Sequence, residues 1–298
     1  MMGQRICGTT LIMDGAIVEG REYLERSLEE LGEAHSDQIG FVYAQDMLVT
    51  AECYYAFALT ALGDIEGANQ RCTLALERAM GLDHPLTIAY ASGHFGLLFA
   101  ELRDDARLDR CLAHLESTLA EHPIPIWQSQ LQYLQGMKAL REGHHSTAVT
   151  RIGEGLAASE RLGFRPWRPI QLGNIARGVL AMGQLDSALE YVGQAFSEIE
   201  SGQDAWMEPE LHRVRGDVLA ARGGSNAEIE ACYRQALTEA GAQPNRIYEL
   251  RAALSLARCW RDQGRRDEAR EILAPIELTG VKNLPDLVEA QAMVERLS

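Results

Sequence analysis

The feature that most constrains this chain is a spacing. Small residues recur at Gly8, Ala56, Gly96, Gly136, Ala176, Gly216 and Ala257, separated by 48, 40, 40, 40, 40 and 41 positions. Seven residues after each stands a glycine: Gly15, Gly63, Gly143, Gly183, Gly223 and Gly264. Only the third unit departs, with Arg103 in that place. Five residues further on come Gly20, Ala68, Leu108, Ala148, Ala188 and Ala269, and in the sixth unit the insertion Gly224-Ser225-Asn226 moves the expected small residue to Ala231. A segment of this length that repeats itself is one supersecondary unit, which buries its apolar face only against its neighbours.

Each unit reads as helix, turn, helix. In the fifth, Leu185, Ala188, Leu189, Val192, Ala195, Phe196 and Ile199 follow the i, i+3, i+4, i+7 spacing of a helix with one apolar face. Sustained period-two alternation is absent throughout, so no strands are expected. The small residues let the two helices of a pair approach closely. The glycine supplies the left-handed stop of the first helix. Polar or acidic residues such as Asp64 and Glu66 then open the second. Pro85, Pro123/Pro125, Pro166/Pro169, Pro209 and Pro244 punctuate the starts of first helices. The spacing predicts a single domain over 1–298, with units at about 1–35, 37–82, 84–122, 124–163, 166–202, 204–242 and 245–275 and a terminal helix at about 286–297.

Small residue, turn glycine and alanine in this order resemble the core signature of tetratricopeptide repeats, stretched to forty residues. The resemblance covers nearly the whole chain. It implies an all-α, right-handed α-solenoid of about seven helix–turn–helix repeats plus a C-terminal helix. A narrower similarity lies in Glu210–Leu219, Ala231–Leu237, Glu249–Arg258 and Trp260–Pro275. These stretches look like the C-terminal repeat region of bacterial multidomain signalling proteins. In those proteins a class III adenylate/guanylate cyclase or winged-helix domain precedes an AAA-type ATPase module. Where such proteins carry an aromatic, glycine-rich loop, this chain has Ile276–Pro285. Because Met1 falls where the first helix of the first unit begins, with no capping helix before it, either Gly8–Leu11 meets a neighbouring subunit or, the favoured expectation, this chain is the C-terminal piece of a longer ancestral protein.

Composition removes several classes of function. The net charge of −15 repels phosphate backbones, so nucleic acid is not an expected partner. No apolar run reaches the ~18–20 residues of a membrane helix and no secretory signal is visible. Six scattered cysteines without a CxxC pair read as reduced core thiols of a cytoplasmic protein.

The chain lacks GxxxxGK[ST], HExxH and GxSxG motifs. His84, His94, His114 and His122 are spread along the third unit, and His144-His145 point apart on a helix. No catalytic, cofactor or metal site is expected.

What remains is the concave face, which the first helices of such a superhelix line. Its middle is expected to be apolar to aromatic, with Phe57, Tyr90 and Tyr133. Its C-terminal end is expected to be charged, with Arg177, Arg213, Asp217, Arg251 and Arg258. Aromatic anchors would bury area, and the arginines would receive carboxylates of an acidic partner segment. The competing reading makes Arg213 and Asp217 an ordinary i, i+4 pair and the aromatic residues inter-helix packing. Trp127, Trp167 and Trp206, 40 and 39 residues apart, are expected to pack between repeats. The function expected is a non-catalytic scaffold or regulatory module that binds a protein or peptide. The alternative is a small-ligand sensor controlling an attached ATPase or cyclase. A continuous open groove would mark the scaffold, and an enclosed cavity with convergent polar groups the sensor.

Overall fold

The computed structural model describes residues 2–33, 45–202, 204–274, 278–279 and 283–297. Among them, helices follow one another in pairs. These are α1 (Met2–Met13) with α2 (Ile17–Glu33), α3 (Met47–Ala61) with α4 (Ile65–Leu82), α5 (Pro85–Glu101) with α6 (Asp105–Glu121), and α7 (Pro125–Arg141) with α8 (His145–Arg161). Then come α9 (Arg168–Ala181) with α10 (Leu185–Glu200), α11 (Glu208–Ala221) with α12 (Asn226–Ala242), α13 (Arg246–Asp262) with α14 (Arg266–Glu271), and the terminal α15 (Pro285–Leu297). A short 3-10 turn, Ala205–Met207, precedes α11. No strand occurs among the described residues, and the fold is a helical repeat solenoid of the tetratricopeptide type. The expected start of the second unit at 37 and positions 276–277 and 280–282 lie outside the described residues.

The turns are built as the glycines require. Gly15, Gly63, Gly143, Gly183, Gly223 and Gly264 all have φ between 75° and 89°, and Arg103 adopts the same left-handed form at 57°. At Gly8 and Gly136 the paired backbones nearly touch, whereas Gly96 and Gly216 make room for the side chains of Leu134 and Tyr233. A Cβ on Gly8 would lie 2.8 Å from the carbonyl oxygen of Gly20, and one on Gly136 would lie 2.6 Å from Ile152 Cγ1 and 3.0 Å from the Ile152 nitrogen.

The sixth unit corrects the expected register. Ala231 is exposed, and Tyr233 packs on Gly216. A capping box, Ser225 with Glu228, fixes the start of α12, so Ile229 occupies the place that Ala148 and Ala188 hold elsewhere. The helix start, not the distance from the glycine, sets the register.

First and second helices differ in burial. In α5 every residue from Thr87 to Ala100 except Tyr90 is buried, because the helix is enclosed by its own pair, its neighbours and the interior of the superhelix. The second helices keep a polar outer face. The cysteines follow this division. Cys53, Cys72 and Cys111 are buried, Cys232 and Cys259 are half-buried, and Cys7 is exposed, against the expectation of a core thiol there.

The superhelix closes on itself, so the concave face is not an open groove. The turns of the first three units meet the last two units. Gly15 lies against the side chain of Gln243, and Gly63 lies against Arg246 and Leu278. The amide and hydroxyl of Thr279 both donate to the Gly63 carbonyl, at 3.0 and 3.2 Å. Arg103 pairs with Asp286 at 2.9 Å.

Gly136→Val is expected to lower stability by about 1–3 kcal/mol, because backbone atoms of α8 block the added methyl groups. Gly193→Ala, on the open face of α10 with nothing within 4 Å of its Cβ, is expected to raise stability by about 0.4–1 kcal/mol. Denaturant unfolding of the two variants side by side measures both.

Candidate functional site: the enclosed interior

Because the first helices face inward, their large side chains meet around the superhelix axis. Tyr54 and Phe57 come from α3, Tyr90 and His94 from α5, and Trp127 from the first turn of α7. Trp167 ends the loop before α9, and Trp206 sits in the 3-10 turn. The rings form one continuous cluster around His94, which stacks on Tyr90 at 4.0 Å and takes edge contacts from Trp167 at 4.9 Å and Tyr54 at 5.3 Å. The Tyr90 carbonyl, which can only accept, lies 2.9 Å from His94 Nδ1, so the proton sits on Nδ1 and Nε2 faces the Tyr54 hydroxyl. Burial lowers the His94 pKa to about 4, which keeps the ring neutral.

Beside this cluster lies an apolar cleft with about 50 Å³ of free space, room for a few water molecules. Its walls come from both ends of the chain: Ile12 and Met13 of α1, Phe57 of α3, Leu97 of α5, and Trp206 and Tyr248 from the last units. Phe57 and Trp206 meet edge-on at 6.4 Å across the closing seam. Two polar atoms of the lining, Thr60 Oγ1 and Trp206 Nε1, are buried and have no hydrogen-bond partner among the described residues. Glu101 and Asn245 also line the cleft.

The expected site residues divide. Phe57 lines the cleft, and Tyr90 is half-buried in the aromatic cluster. Tyr133 is fully buried and its hydroxyl accepts a 3.0 Å hydrogen bond from Asn174, which makes it core. Arg213 forks onto Glu210 (2.6 and 2.7 Å) and reaches Asp217 at 2.6 Å. Asp217 in turn accepts from the Tyr233 hydroxyl at 2.8 Å. Burial alone would raise the Glu210 pKa, yet the Arg213 guanidinium holds it down at about 2. Arg251 binds Glu101 and Asp286. Arg258 pairs with Glu289 at 2.5 Å and stays 40% exposed at its side chain. Arg177 donates to Asn174 at 2.9 Å. No carboxylate lies within ion-pair distance of it among the described residues. Four of the five residues expected at the charged end, Arg213, Asp217, Arg251 and Arg258, are therefore engaged in ion pairs within the chain, and Arg177 is not among the described pairs.

Trp127 packs between repeats as expected, over Gly93. Trp167 and Trp206 do more, because they also wall the cleft. Their recurrence near the starts of first helices was the visible signal, but which of them face a cleft depends on the closure. Asp204 also escaped sequence reading. It is 6% exposed, accepts the Trp167 amide, and has no basic partner among the described residues. Burial raises its pKa to about 6 against the pull of the Trp167 N–H, and Asp14 adds to the rise. No group of three or more potential metal ligands occurs among the described residues. No helix among them is long and apolar enough to cross a membrane.

No family model matches the chain, and no curated protein matches it. Solved structures do resemble it. A Rap protein complexed with competence and sporulation factor superposes with a TM-score of 0.67 at 13% identity, over 99% of this chain and 77% of that one. A tetratricopeptide repeat protein from Parabacteroides merdae gives 0.52 at 13% identity, over 99% and 98%. NprR in complex with its cognate peptide NprX gives 0.51 at 14% identity, over 84% and 77%. At these identities the likeness establishes the fold: this chain is a tetratricopeptide-like helical solenoid.

Two measurements test the electrostatics. Arg213→Ala strands buried Glu210 and is expected to cost about 3–5 kcal/mol, whereas Arg258→Ala is expected to cost under about 1 kcal/mol. Asp204 holds its proton longer when folded than when unfolded. Its contribution is therefore present below pH about 4 and is lost as pH rises through about 6. Asp204→Asn, which still accepts from Trp167, should match the wild type near pH 4 and exceed it by about 2–3 kcal/mol at pH 7.5 in urea titrations.

Proposed function

We propose that this protein is a non-catalytic binding module that holds a short segment of a partner protein or peptide inside its superhelix, with an apolar or aromatic side chain as the anchor. The observation that carries this is the aromatic cleft with its two unpaired polar atoms, Thr60 Oγ1 and Trp206 Nε1. Large rigid rings supply binding area at low entropic cost, and orphan donors and acceptors fix orientation. Two of the similar structures are complexes, a Rap protein with competence and sporulation factor and NprR with its cognate peptide NprX, which supports a peptide as occupant. Arg177 is the cation best placed to take an acidic residue of that segment. Arg213 and Arg251 serve the fold, so charge reversal at Arg213 would test stability before it tested recognition.

The enclosure of the cleft from both ends favours a second reading, a small effector in place of a peptide. The similarity of the C-terminal units to bacterial multidomain regulators supports a signalling context in either case, with an ATPase or cyclase as the attached or partner module.

Selection of a displayed random-peptide library on the full chain tests the first reading. Peptides with a shared apolar anchor are expected, with binding weakened at least about tenfold by Phe57→Ala or Trp206→Ala, as for truncation of a hot-spot contact. Enriched peptides that bind these variants unchanged would exclude the cleft as the site.

A further inference from the structure

Arg103 is the one residue among seven equivalent turn positions that is not glycine, yet its φ of 57° is the one glycine serves best. Its guanidinium reaches Asp286 Oδ1, at the other end of the chain, at 2.9 Å. Asp286 Oδ2 accepts from Arg251 Nε at 3.0 Å. Arg251 Nη1 bonds Glu101 Oε2 at 2.8 Å, and Nη2 bonds the Glu101 carbonyl at the negative end of α5. Two cations and two anions thus form a closed set between the third unit and the last, with Arg251 and Asp286 almost fully buried.

We propose that Glu101, Arg103, Arg251 and Asp286 form a clasp that holds the superhelix shut and controls entry to the aromatic cleft. The control of entry rests on the peptide-binding reading; the clasp itself does not. Three observations connect the two. Glu101 belongs both to the clasp and to the cleft lining. The cleft's walls come from both sides of the seam that the clasp closes, so parting the seam parts Phe57 from Trp206. Free space of about 50 Å³ is too small for an aromatic side chain, so an occupant enters when the seam opens. Closure and binding then draw on one equilibrium, and weakening the clasp raises apparent affinity by raising the open fraction.

The test uses the full chain with Arg251→Gln and Arg103→Gly. If Arg103 were only a turn residue, glycine would relax the turn and leave the seam as tight as before. The clasp predicts the reverse. In both variants the Thr279 amide, bonded to the Gly63 carbonyl across the seam, should exchange at least about tenfold faster. The radius of gyration from X-ray scattering should increase, and 1-anilinonaphthalene-8-sulfonate fluorescence should rise while circular dichroism stays helical. Wild-type exchange and dimensions in a folded Arg251→Gln would overturn the clasp. Should that variant fail to fold, unchanged Thr279 exchange in Arg103→Gly overturns it alone. Peptides selected on the wild type should bind Arg103→Gly at least about fivefold tighter. Equal affinity with an opened seam overturns the control of entry and leaves peptide binding standing. A selection that yields no peptide defeats the peptide reading, while the seam measurements still decide the clasp.

Discussion

Everything in this molecule depends on how closely paired helices approach at their small residues. Where Gly8 faces Gly20, and Gly136 faces Ala148 and Ile152, a single added carbon would collide with main-chain atoms of the opposite helix. That contact fixes the angle within a pair, and the angle repeats through the stack. A repeated rotation sums to a curve, and here the curve is tight enough for the C-terminal residues Gln243, Arg246, Thr279 and Asp286 to reach the turns of the first three units. The interior is thus a consequence of side chains that are barely there.

Closure changes what the inward-facing residues must do. An open groove lets an arginine rest in water; an enclosed one takes that water away, and a buried charge then needs a partner. The structure meets this demand in two ways. Arginines near the C-terminal units are matched by Glu210, Asp217, Glu101 and Asp286. At the axis the means is different: His94 is kept neutral among aromatic rings, while burial pushes the Asp204 pKa up to about 6. The result is an apolar centre with an ionic perimeter.

How much of this could be read from the sequence follows from the range of each interaction. Helix pairs, turn glycines and the helical class come from contacts within forty residues, and the period displays them directly. The sixth unit was misread because an insertion moved the helix start and the capping box Ser225–Glu228 was passed over. The interior was only half legible. Inward positions are identifiable from the period: Phe57 lines the cleft and Tyr90 stacks on His94. Arg213 is paired with Asp217 at i, i+4, which the sequence displays, whereas the contact of Arg251 with Glu101 spans 150 positions. No local pattern carries the second, because it arises from the summed curvature.

Arg103 is the place where the local pattern did carry it. A repeat array holds its own control experiment, since six equivalent positions state what the turn alone requires. The seventh departs toward a residue that the left-handed backbone disfavours, so something outside the turn must favour it. Thr279 also lies outside the repeated pattern, beyond the last unit. There a hydroxyl and an amide dock on Gly63, which belongs to the second unit. Both departures lie on the seam. In a protein made of near-copies, a position that breaks the copy can mark long-range closure, as Arg103 and Thr279 do on the seam beside a cleft whose walls come from both ends of the chain.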